Sequence, residues 1–314
     1  MEQEELANYR KAGKIAREVK EYACKIIKPD MLLLEIAEKI ENKIIELGAK
    51  PAFPCNLSID DIAAHCTPSS QDTTLAFGLL KIDFGVSISG HIVDTAFSLD
   101  LETSESKDSE GAQKFERTEK ISDNNEENKK LIEASELALK SAIKIIKPEI
   151  ELWKIGEAIQ KTILGFHFSP IRNLSGHQLA IYKVHAGLTI PNTNNSNSTK
   201  LPEGVYAIEP FATTGLGLVY DSKPSGIYML KGRKAIRNLE ARKLLAYVEK
   251  EYSTLPFCER WIQKKFPHSK LSLSLLEKEG ILHQYPQLTE KSHKKVSQTE
   301  TTILVTKDKV EVLV

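Results

Sequence analysis

Apolar residues recur three and four positions apart through Ala12, Ile15, Ala16, Val19, Tyr22 and Ile26, which predicts an amphipathic helix. Pro29 ends it, because proline lacks an amide donor and restricts the residue before it. The closing sequence then returns. Lys25-Ile26-Ile27-Lys28-Pro29-Asp30 recurs as Lys144-Ile145-Ile146-Lys147-Pro148-Glu149, an offset of 119 residues. At that offset Leu34, Ile36, Ala37, Ile40 and Ile44 correspond to Trp153, Ile155, Gly156, Ile159 and Ile163, so each half carries a second helix after its proline.

Alternating apolar positions after each helix pair predict strands over Leu79–Ser87 and Ile92–Leu99, then over Val184–Ile190 and Val205–Phe211. Two such halves about a pseudo-twofold axis make an α+β fold, with helices outside a curved antiparallel sheet. Two stretches depart from the plan. Residues 103–128 hold eight acidic and four basic side chains with only Phe115 and Ile121 as large apolar residues, and are expected to form an exposed, mobile insertion. Residues 231–285 read as a helical subdomain placed before the strand pattern resumes at Val296–Val305. The expected unit is one domain over 1–314 that contains both.

Composition narrows the functional classes. Forty-three Lys plus Arg balance forty-three Asp plus Glu, which removes a general electrostatic drive toward nucleic acid or anionic membrane. No apolar run approaches the length of a membrane span, and the acidic start Met1-Glu2-Gln3-Glu4-Glu5 is unlike a secretory leader. Cys24, Cys55, Cys66 and Cys258 are scattered without metal-knuckle or disulfide spacing. A cytoplasmic protein follows as the expectation.

The chemistry lies in carboxylates inside apolar strands. Lys81-Ile82-Asp83-Phe84-Gly85-Val86-Ser87-Ile88-Ser89-Gly90-His91-Ile92-Val93-Asp94 reads as a hairpin turning at Ser89-Gly90. Position 83 then faces 96 and 85 faces 94, so Asp83 and Asp94 share one face. Two acids together on an apolar hairpin repel unless a cation lies between them or the face is solvated. His177 follows Gly176, Glu209 sits within Val205–Phe211, and Glu300 opens the last strand. The four carboxylates and one imidazole have the hardness and number that two divalent ions need. His65 and His185 lie 120 residues apart, near the repeat offset. The pseudo-twofold would set them on opposite sides of one cleft, as neutral donors that polarise a scissile carbonyl or hold a leaving amide.

These residues together resemble methionine aminopeptidases: the Asp-x-Gly hairpin with its second Asp, the Gly-His, Ala207-Ile208-Glu209-Pro210-Phe211 and Gln298-Thr299-Glu300. Further stretches resemble the type 2 enzymes in their archaeal form. They are Pro51-Ala52-Phe53-Pro54-Cys55-Asn56, Ala63-Ala64-His65, Asn173-Leu174-Ser175-Gly176-His177 and Thr254-Leu255-Pro256-Phe257-Cys258-Glu259-Arg260-Trp261. The resemblance implies the pita-bread fold and two divalent metals, drawn from Co, Mn, Fe, Zn or Ni. It implies that Asp83 binds one metal, His177 and Glu209 the other, and that Asp94 and Glu300 bridge them. Glu209 would be the general base, His65 and His185 would contact substrate, and Phe53, Val184 and Tyr285 would line a methionine pocket.

The implied reaction removes the initiator methionine of nascent chains when the second residue is small and uncharged, by attack of metal-held hydroxide on the first peptide carbonyl. It goes with a monomer in transient contact with the ribosome, without membrane or specific nucleic acid. Cys66 and Thr301 replace the aromatic and the His usual at their positions. A proline-specific peptidase and a non-catalytic ribosome- or RNA-binding relative of the same fold are the competing readings.

Overall fold

The computed structural model describes the backbone of residues 2–101 and 113–314, and the side chains of 2–101 and 126–314. Seven helices appear in it: α1 (Gln3–Ile26), α2 (Leu33–Glu46), α3 (Gln113–Ile145), α4 (Leu152–Gly165), α5 (Leu239–Glu251), α6 (Glu259–Gln263) and α7 (Ser269–Lys278). The repeat is visible in the backbone. Helices α2 and α4 begin and end at equivalent positions, and the residues after the two prolines, Asp30 and Glu149, both adopt φ of 63°. Their N–H groups donate to Ala76 O (2.9 Å) and Leu201 O (3.0 Å). Leu33 and Leu152 then donate to Thr74 O and Thr199 O, both at 2.9 Å. Each helix pair is thus stitched to its half by the same two hydrogen bonds.

All paired strands are antiparallel. The hairpin Leu79–Ile88/His91–Asp100 forms the first half's sheet with Asn56–Ile59 and Lys50–Pro51 beside it. The second half's larger sheet runs in the order 310–312, 301–305, 204–208, 175–179 and 189–191. The halves join where Glu300 N–H donates to Ala96 O at 2.9 Å. Helices α1 and α2 close the first hydrophobic cluster, around Val19, Ile36, Ile40, Phe84 and Val93. Helices α3 and α4 close the second, around Leu131, Ile155, Ile159, Tyr206 and Ile303.

The hairpin register matches the expected one, with Asp83 opposite Ala96 and Gly85 opposite Asp94. Its turn residues Ser89 and Gly90 have φ of 49° and 85°, the paired positive values that a two-residue hairpin needs. Three expectations are corrected. Residues 184–188 are not a strand; only Thr189–Pro191 is extended, because Tyr182 (φ 58°) and Gly187 (φ 115°) bend the chain and Ala186 N–H donates back to Gln178 O. The last strand is two, Val296–Gln298 and Thr301–Val305, in different sheets. Of the expected insertion over 103–128, residues 103–112 lie outside the described residues, while 113–128 form the start of α3. The fully buried Asn128 at its end donates to Asp100 and accepts from Lys295.

The helical reading of 231–285 holds only to Ile281, because Leu282–Glu290 is a strand paired with Val219–Leu230. Before it, α5, α6 and α7 pack on a hydrophobic cluster including Leu244, Val248, Phe257, Leu273 and Leu276. A buried ion pair ties this unit to the first half. Arg260 of α6 grips Glu41 of α2 with two parallel bonds of 2.7 and 2.8 Å. Glu41 also accepts from Trp261 Nε1 (2.8 Å) and from Cys55 N–H (3.1 Å). Every oxygen of the carboxylate is satisfied, as a buried charge requires.

Candidate metal centre

The hairpin carries Asp83 and Asp94 to the floor of a cavity of about 320 Å³. His177 comes from the strand Ser175–Leu179, so its Gly-His is extended chain and not a turn. Glu209 and Glu300 both sit at breaks between strands, Glu209 between 204–208 and 211–213, Glu300 between 296–298 and 301–305. At such a break the chain leaves one sheet for another, which frees the side chain to point inward. All ten side chains singled out in the sequence line this one cavity.

The floor is dense in acid. One ligand atom each from Asp94, His177 and Glu300 lie within 4.8 Å of one another. His177 Nε2 is 3.7 Å from Asp94 Oδ2 and 3.5 Å from Glu209 Oε1. Burial raises the pKa of Asp83 to about 7 and lifts Asp94, Glu209 and Glu300 well above the carboxylate range; for those three, repulsion among the four acids adds to it. Burial also pushes His177 down to about 3, so the ring stays neutral and able to ligate. Asp83 Oδ1, Asp94 Oδ1 and Glu300 Oε1 are buried without a hydrogen-bond partner. Four crowded carboxylates, three of them with an orphaned oxygen, and a neutral imidazole fit divalent cations, and such a set is costly to keep dry without them.

The walls differ from the floor. Phe53, Val184 and Tyr285 give an apolar side. His65 and His185 both pack against the Tyr285 ring, with centroids 5.2 and 6.3 Å away. His65 departs from the donor role expected of it. Its Nδ1 lies 3.2 Å from Pro286 O, and a carbonyl only accepts, so Nδ1 carries the proton and Nε2 of the neutral ring is an acceptor. Burial lowers its pKa to about 4 and keeps that state at neutral pH. Gly85 faces Phe53 so closely that a Cβ there would stand 2.4 Å from the ring.

Sequence reasoning missed three residues. The Gln298 amide favours the charged forms of both Asp83 and Glu209 and so works against the rise that burial causes, a role signalled only by the Gln-x-Glu spacing. Thr302 bonds the Asp94 backbone, and Asn56 lines the cavity beside Asp83. Thr301, at the position where His was expected, turns away from the acids and donates to Val314 O at 2.7 Å.

A model of metallopeptidase family M24 matches residues 7–307. The chain belongs to that family. It is 47% identical over 305 residues to the methionine aminopeptidase of Pyrococcus abyssi, covering 95% of this chain and 96% of that one. Among solved structures, a thermophilic Arx1 superposes with a TM-score of 0.81 at 17% identity over all of this chain and 91% of that one. The methionine aminopeptidase of Rickettsia prowazekii does so at 0.65 and 21%, over all of this chain and 98% of that one. The fold is therefore the pita-bread fold of M24 enzymes, and the family membership brings divalent-metal hydrolysis with it. Among the described residues no helix is long and apolar enough to cross a membrane.

Proposed function

We propose that the protein is a type 2 methionine aminopeptidase that removes the first methionine of new polypeptides when the second residue is small and uncharged. The observation carrying this is one cavity with an acid floor of Asp83, Asp94, His177, Glu209 and Glu300 beneath an apolar wall of Phe53, Val184 and Tyr285. The high identity to named methionine aminopeptidases supports it against a proline-specific peptidase or a binding-only relative. Asp83 would hold one metal, His177 and Glu209 the other, with Asp94 and Glu300 shared. When bound, the pair supplies Lewis acidity and an ionised water at neutral pH.

The protein's own groups do the rest. Glu209, on the cavity floor, accepts the nucleophile's proton and returns it to the leaving amine. His65 Nε2 accepts an N–H from the substrate backbone, and His185 at the rim contacts the chain beyond the scissile bond. The apolar wall holds the methionine side chain, and discrimination by such a wall is worth about 1–3 kcal/mol per methylene. The protein would act as a cytoplasmic monomer. The exposed Lys231, Arg233, Lys234 and Arg237 offer a surface for transient ribosome contact.

Methionine release from a Met-Ala-Ser peptide by metal-stripped protein, titrated with Mn, Co, Fe, Zn or Ni, tests the reading. Release from this peptide, and none from Met-Leu or Ala-Pro peptides, is expected. Folded protein that releases nothing with any ion would overturn it.

A further inference from the structure

Asn56 carries a polar atom that the fold leaves unused. It stands directly opposite Asp83 in the antiparallel pairing of Asn56–Ile59 with Leu79–Ile88. Opposed residues of such a pair project from the same face of the sheet, so the Asn56 side chain lies beside the Asp83 carboxylate, on the side of the acid floor. It is 5% exposed and lines the cavity. Its Nδ2 donates to Pro54 O at 3.2 Å, which sets the orientation of the amide. The opposite atom, Oδ1, is buried and has no partner. A buried acceptor without a donor costs stability, and the neighbouring Asp83 Oδ1 is orphaned in the same way. With Asp83 committed to a metal in the site proposed above, its carboxylate has no proton to give to Asn56. Asn56 Oδ1 therefore calls for a donor that arrives from the cavity.

The site proposed above receives one group rich in N–H donors, the free α-amino group of the substrate. Phe53, three residues before Asn56 on the same segment, belongs to the wall assigned to the methionine side chain. We propose that Asn56 Oδ1 accepts a hydrogen bond from the substrate's α-amino group, so that the segment 53–56 reads both the side chain and the free amine of the first residue. Asn56 is then a specificity residue for a chain's N-terminus and not a metal ligand. The inference rests on the aminopeptidase reading, and it predicts discrimination that the acids alone do not supply.

The test compares Asn56→Ala, and the nearly equal-sized Asn56→Leu, with the unaltered protein, each loaded with the same metal. Calorimetry measures the binding of free methionine and of its desamino analogue, and the metal affinity of stripped protein is measured separately. Expected is a roughly ten- to hundredfold loss of methionine affinity, the size of a hydrogen bond to a charged group, with a matching rise in KM for Met-Ala-Ser. Binding of the desamino analogue and of the metal should stay within about twofold. Thermal unfolding identifies which variant is folded, and either one suffices. Equal losses for both ligands, a loss confined to metal affinity, or no loss at all would overturn the proposal. Absence of methionine release by the unaltered protein would instead overturn the aminopeptidase reading.

Discussion

The hydroxyl of Thr302 accepts a hydrogen bond from Asp94 N–H and donates one to Asp94 O, both at 2.7 Å. Thr302 is fully buried, two residues after Glu300, and its own carbonyl accepts from Leu313 N–H at 2.8 Å. One side chain therefore locks the backbone of a hairpin acid to the segment that carries Glu300. Replacing it by the equal-sized valine should lower stability by about 1–3 kcal/mol, since a buried N–H and a buried C=O both lose their partner. Metal affinity should fall roughly 10–100-fold, the usual cost of disturbing a group that orients ligands. Thr302→Ser should restore both. Urea unfolding and a competitive metal titration read the two effects; normal metal affinity in a folded Thr302→Val would refute the linkage.

Metal-stripped protein should lose the stability contributed by its buried acids as pH rises through about 7. The four acids have folded pKa values raised by burial, Asp83 to about 7 and the other three well above the carboxylate range. Their contribution is complete below the unfolded carboxylate range and disappears as pH climbs through the folded values. His65 and His177 have lowered pKa values, about 4 and about 3, so they act in the opposite sense, destabilising as pH falls below 6.5. Above 6.5 these two histidines no longer contribute and the acids carry the decline, while the buried Lys81, lowered by desolvation to about 7, opposes it as pH climbs further. Thermal unfolding with chelator against pH should show this decline, and saturating Mn or Co should flatten it. Glu300→Gln should raise the stability of the stripped form there by about 1 kcal/mol per pK unit relieved, while abolishing activity.

His65→Ala and His185→Ala should each lower kcat on Met-Ala-Ser by roughly 10²–10⁴ while leaving metal content intact, because neither ring is placed among the ligands. Since burial holds His65 neutral down to about 4, the rate should show no inflection near 6.5 from this ring. A lost metal in either variant, measured by atomic absorption, would move that histidine into the ligand set.

The buried pair Glu41–Arg260 fastens the inserted helices to the segment that bears Phe53 and Asn56. Arg260→Met should destabilise by about 3–5 kcal/mol, because Glu41 keeps its burial and loses its counter-charge. The double variant Glu41→Leu/Arg260→Met should recover most of that loss, yet keep a raised KM because Cys55 N–H no longer has its acceptor. A denaturant series over the four combinations measures the coupling.

What could be read in the chain follows from how local each cause is. The Ser89-Gly90 turn sets the hairpin register by itself, so the common face of Asp83 and Asp94 was legible. Pro29 and Pro148, each followed by a residue of positive φ, made the two halves visible. Alternation misled at Val184–Ile190, because a bend at Tyr182, whose N–H donates to Gly90 O, outweighs the local pattern. The acceptor on His65 depends on Pro286, and the task of Thr302 on Asp94, both more than 200 residues away. Such distant pairings leave no periodicity to detect.

The missing side chain at Gly85 has a last consequence. Asp83 and Gly85 are two steps apart on one strand, hence on one face and about 7 Å apart. The first position holds an acid of the reacting floor, and the second is vacant so that Phe53 can settle against it. On the function proposed here, the pleat of a single strand is the ruler that sets how far the recognised side chain lies from the bond that breaks. Any side chain at 85 would displace Phe53 and so alter the graduation of that ruler.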